Sequence, residues 1–96
     1  MYTLQFIPEA LDEWRALDGS VRSILKPLLA KRLLSPVVPG AELHGELAGC
    51  YKIKLRQMGV RLVYQVLEDR VVVLVLAVGK RERDKVHRAA GNRMRR

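Results

Sequence analysis

Residues 50–61 of this chain read CYKIKLRQMGVR. Taken as a strand, the run puts Lys52, Lys54 and Arg56 on one face with Cys50, and Tyr51, Ile53 and Leu55 on the other, because strand side chains alternate. A row of like charges repels itself, and such a row commonly serves an anion. The plainer alternative is an edge strand that carries lysines to block pairing with another chain.

The next cation along, Arg61, depends on the turn. A two-residue turn pairs it with Lys54 (turn at Gln57-Met58) or with Arg56 (turn at Met58-Gly59), and both put it on the lysine face; a three-residue turn without a bulge moves it off. Gly59 tolerates positive φ and favours the Met58-Gly59 turn. The expectation is one cationic face made of Lys52, Lys54, Arg56 and Arg61. Lys80, Arg81 and Arg83 follow a later strand and extend that face at the end of the sheet, and His87 overlooks it if the last helix folds back.

Such a cluster suits phosphoryl chemistry, which needs charge stabilisation and positioning more than covalent help. Arg61 and Arg81 can hold a pentavalent phosphate through forked hydrogen bonds. A lysine among cations has its pKa lowered, so Lys52 or Lys54 can accept a proton from a ribose 2′-hydroxyl. His87 can exchange a proton with nucleophile or leaving group. Spacing alone favours the plainer reading, a patch that only holds phosphate, as most basic patches do. No catalytic triad, phosphate loop, carboxylate–histidine pair or metal-ligand spacing accompanies it. His44 and His87 stand apart, and the one cysteine, Cys50, reads as a small buried hydrophobe, so neither metal nor other cofactor is expected.

The charge distribution agrees. The net charge is +8 over 96 residues. Residues 1–43 hold five basic and five acidic side chains, and residues 44–96 hold thirteen and five, so the whole excess lies in the second half. A one-sided basic surface points to nucleic acid, acidic protein or anionic membrane. The membrane is the weakest of these, since no strongly amphipathic basic helix accompanies the charge. With no signal-peptide pattern and no apolar run near ~20 residues, a soluble cytoplasmic protein is expected.

The elements that must position these groups are legible as periodicities. Residues 2–7 alternate as a strand, and Pro8 opens a helix over 9–17. Asp18-Gly19 stops it, and Ser20 caps a second helix running to about Leu34, with a kink at Pro27. Residues 35–49, rich in Pro and Gly, form a loop. Strands follow over 50–56, 60–67 and 70–79 as an antiparallel meander, the last buried on both faces and therefore central. The closing segment is helical to Ala90 with few apolar residues, so it should dock weakly and then fray. The fold class is α+β, one domain over residues 1–96: an N-terminal strand and helical hairpin packed on the meander, with a short C-terminal helix.

The run CYKIKLRQMGVRLVYQVLEDRVVVLVLAVGKRERDKV, with ALDEWRALDGSVR before it, resembles the RelE family of bacterial toxins, the toxin halves of type II toxin–antitoxin pairs. The likeness covers nearly the whole chain. It implies messenger RNA cleavage in the A site of the 70S ribosome, neutralisation by a RelB-like antitoxin, and operator DNA binding only through the antitoxin complex. It also implies roles: Lys52 and Lys54 in proton transfer and charge stabilisation, Arg61 holding the scissile phosphate, Arg81 stabilising the transition state. His87 stands where close members carry a tyrosine, and His44 near where they carry an arginine for ribosomal RNA. The sparse apolar face of the last helix suggests that an antitoxin segment displaces it. The rival within the superfamily is a ParE-like poison of DNA gyrase, whose members generally lack the Lys/Lys/Arg/Arg set; a corepressor role through the antitoxin is a third.

Overall fold

The computed structural model describes residues 1–80, 82 and 84–95. Its elements run β1 (Thr3–Phe6), α1 (Pro8–Ala16), α2 (Gly19–Leu34), β2 (Cys50–Leu55), β3 (Val60–Leu67), β4 (Val72–Lys80) and α3 (Lys85–Met94). The four strands form one sheet in the order β1-β4-β3-β2. The β2–β3–β4 meander is antiparallel as expected, and β1 joins it parallel to β4. That parallel pair makes β4 central, which explains its apolar sequence.

Two apolar layers sandwich the sheet. On one face Ala10, Val21, Leu25 and Leu29 of the helical hairpin pack on Ile53, Leu62, Tyr64, Val73, Val75 and Val78. On the other face Val86 and Ala90 of α3 pack on Cys50, Val63, Leu76 and Ala77. A bulge in β4 makes the second layer possible. Val63 pairs with Ala77 and Tyr64 with Val75, so Leu76 is the extra residue, and two consecutive side chains face α3.

Several boundaries differ from the sequence reading, each for a local reason. Asp18, expected to end the first helix, is instead the N-cap of α2, its carbonyl accepting from Val21 and Arg22 N–H. The open carbonyls at the end of α1 are met by the Arg22 guanidinium, which donates to the oxygens of Trp14, Arg15 and Leu17. The helix α2 continues through Pro27. The last helix neither stops at Ala90 nor docks weakly. It runs through a buried Gly91 to Met94. Arg93 forms a two-pronged ion pair with Glu13 of α1, at 2.7 and 3.1 Å, and donates to the Leu76 carbonyl at 2.8 Å. Glu13 also accepts the Val78 N–H at 3.3 Å. The pair thus satisfies the stretch of β4 that β1, ending at Phe6, leaves uncovered.

Among the described residues, no helix is long and apolar enough to cross a membrane.

Candidate active site

The cationic face forms, with one correction to the turn. β2 ends at Leu55, and Arg56–Met58 make a turn of 3₁₀ helix closed by Gly59 at φ 62°. The loop is therefore four residues long, not two. Its even length keeps the parity, so Lys54 pairs with Arg61 and Lys52 with Val63. Lys52, Lys54 and Arg61 share the α3 face of the sheet. Arg56 has left the ladder, but it still lines a pocket of about 270 Å³ with Lys54, Leu55, Gly59, Val60 and Arg61. This pocket sits at the turn end of the β2–β3 hairpin.

α3 completes the face. Val86 lies over Gly79, the β4 partner of Arg61. One residue on, His87 reaches the field of the cations. Its imidazole is held below the ordinary 6.5, first by burial, then by Arg61, Lys52 and Lys54, with Asp84 pulling the other way. Among the described residues its buried Nδ1 has no hydrogen-bond partner. The Lys54 ammonium is also depressed, first by Lys52, then by desolvation, Arg61 and Arg56. These directions mark a cluster whose own charges disfavour full protonation, a state that an arriving anion relieves.

Not every expected member joins. Lys80 is two residues beyond Val78 and pairs with Val60, both part of the helical-hairpin core, so alternation puts it on the opposite face. Arg81 and Arg83 lie outside the described residues. His44 is exposed at the start of a short 3₁₀ turn, Gly45–Leu47, and is not among the groups that shift the Lys54 or His87 pKa.

Two contributors were not anticipated. Asp84, at the N-cap of α3, brings a carboxylate oxygen 3.9 Å from the Arg61 guanidinium. Arg32 lies beneath the sheet, donating to the Lys52 carbonyl at 3.2 Å and the Tyr64 hydroxyl at 2.8 Å. The outer edge of β2 is further pinned by Lys52 N–H to Ala41 at 3.0 Å and Leu43 N–H to Cys50 at 2.9 Å. This edge strand is therefore covered by its own loop, and its lysines are free for something other than edge protection. Arg32 had a signal, since Leu25, Leu29 and Arg32 follow helical spacing onto the buried stripe.

The chain's relatives carry the same frame. Residues 4–85 match the model of the ParE toxin of type II toxin–antitoxin systems, parDE. The chain belongs to the RelE/ParE family of toxins. The mRNA interferase toxin RelE of Escherichia coli (strain K12) is 50% identical over 93 residues, spanning 97% of each chain. The crystal structure of the isolated E. coli RelE toxin superposes with a TM-score of 0.82 at 48% identity, covering 98% of this chain and 99% of that one. The RelE chain in the intact E. coli RelBE toxin–antitoxin complex gives a TM-score of 0.82 at 51% identity, over 86% of this chain and all of the other. The toxin fold thus presents Lys52, Lys54 and Arg61 on the α3 face of the sheet, with His87 of α3 in their field.

Proposed function

We propose that this toxin is a ribosome-dependent endoribonuclease that cuts messenger RNA in the A site and so halts translation. The observation that carries the reading is the convergence of Lys52, Lys54 and Arg61 on one face, with the neutral imidazole of His87 above them. The 2′-oxygen attacks the adjacent phosphorus as its proton passes to His87; the bond to the 5′-oxygen of the next nucleotide breaks, that oxygen takes a proton from the Lys54 ammonium, whose pKa is lowered, and a 2′,3′-cyclic phosphate is left. Lys52, Lys54 and Arg61 neutralise the pentavalent phosphate, the work a metal ion does elsewhere. Arg81 joins them on the strength of the family resemblance.

A site of weak proton acceptors is slow on free RNA. It gains when another body aligns the 2′-hydroxyl for in-line attack, because positioning alone contributes several powers of ten. The ribosome is that body, and the excess positive charge of residues 44–96 suits docking on ribosomal RNA phosphates, an attraction that weakens as salt rises. The protein acts in the cytoplasm. A RelB-like antitoxin neutralises it, as the RelBE complex of the E. coli relative supports, and the pair binds operator DNA through the antitoxin.

The test is to map messenger RNA 5′ ends after adding purified toxin to programmed 70S ribosomes, beside ribosome-free RNA. Cuts confined to the A-site codon and to the ribosome sample are expected. Intact messenger RNA in both samples, with cleaved DNA accumulating in a gyrase reaction, would overturn the reading in favour of a gyrase poison.

A further inference from the structure

Asp84 occupies an unusual position. As the N-cap of α3 its carboxylate would ordinarily accept an N–H from the first turn of the helix, yet it makes no capping hydrogen bond. Its backbone is left-handed, at φ 61° and ψ 23°. The carboxylate stands instead 3.9 Å from Arg61. The two partners are unequally placed: the Asp84 side chain is 77% exposed and that of Arg61 17%. The carboxylate therefore lies on the solvent side of a guanidinium set into the face. An anion that pairs with Arg61 competes with the Asp84 carboxylate for it. At 3.9 Å the contact is Coulombic without a hydrogen bond, so it can be released.

We propose that Asp84 is a tethered counter-ion that occupies the phosphate subsite of Arg61 in the resting toxin and is displaced by the substrate phosphate. This rests on the reading of Arg61 as the phosphate holder and adds a specificity device to it. The carboxylate weakens the grip on RNA phosphates in general, so that binding depends on the many additional contacts that a programmed ribosome supplies. Asp84 acts through Arg61 and is a positioning residue.

The experiment is a binding cycle with a fluorescent RNA oligonucleotide carrying 2′-deoxy substitutions, which cannot be cleaved. Wild type, D84N, R61Q and the double variant are titrated at low and high salt. Asn tolerates the left-handed backbone, and D84G serves as a second variant that removes the carboxylate and suits that φ better still. D84N and D84G should each bind about two- to fivefold tighter at low salt, the range of an exposed ion pair. The gain should shrink at high salt and vanish on the R61Q background. Weakened binding by R61Q with D84N and D84G unchanged from wild type would overturn the counter-ion and leave the phosphate role standing. A D84N gain that persists with R61Q would overturn it also. An R61Q protein that binds as tightly as wild type would remove the phosphate role and the counter-ion together.

Discussion

Lys54 and Arg61 are direct cross-strand partners in the β2–β3 ladder. Like charges placed opposite each other destabilise a hairpin, and here Lys52 and Arg56 add to the repulsion. The site is thus held together against its own electrostatics, by the apolar side of the same strands. Replacing Lys54 with Gln should raise the thermal midpoint, and ribosome-dependent cleavage should fall by about tenfold or more. Scanning calorimetry beside the 5′-end assay measures both; a variant that loses stability along with activity would contradict this account.

On the proposed mechanism, His87 should set the acid limb of cleavage. Its pKa is lowered from 6.5, mainly by burial, so the imidazole is neutral at pH 7 and ready to accept a proton. Cleavage should fall as pH drops below 6.5 through the folded-state value, and H87Y should cut without that limb. A rate that climbs toward acid would make His87 a proton donor. Stability follows the same sign. Protonation favours the unfolded chain, so the cost is absent above 6.5, grows as pH falls, and is complete below the folded pKa.

The Glu13–Arg93 pair latches α3 to α1, with both side chains largely sheltered. Breaking it with R93M strands a carboxylate and leaves the Leu76 carbonyl without that donor. The loss should be about 1–3 kcal/mol. Amide exchange should rise first in residues 85–94, with β3 and β4 still protected. Uniform loss of protection would mean that α3 is no separate unit.

Cys50 is fully buried, its thiol pushed up to about 11 by desolvation and donating to the Met94 thioether at 3.2 Å. At pH 8 only about one thiol in a thousand is ionised. Iodoacetamide should label the native protein far more slowly than the urea-unfolded chain, and R93M should speed labelling by loosening α3.

Val71 sits at φ 55° in the turn between β3 and β4, a left-handed position that a β-branched residue adopts only under strain. It is 45% exposed, so little packing is at stake. V71N should stabilise by about 1 kcal/mol. In urea this appears as a higher midpoint with an unchanged slope.

The cationic face was legible because it depends on parity alone, and β3 was legible at both ends because Gly59 and Glu68-Asp69 bracket it. The face of Lys80 was not. β4 is apolar on both sides, so its sequence carries no alternation, and the bulge at Leu76 leaves no mark in it. The seating of α3 was also hidden. Its anchors, Glu13 and Cys50, are remote in sequence, and a count of apolar residues in 80–90 cannot register them. Nothing in the sequence singles Asp84 out from the charges around it beyond its place three residues before His87, a spacing that puts both on one side of a helix start.

The parallel pairing of β1 with β4 has a bearing on how such a protein is made. Thr3 bonds in register with Val72, and Phe6 with Val75. A nascent chain that has emerged only as far as residue 67 has no partner for its first strand and no α3 to cover Cys50 and Val63. Vectorial synthesis therefore withholds the assembled face until α3 has been translated.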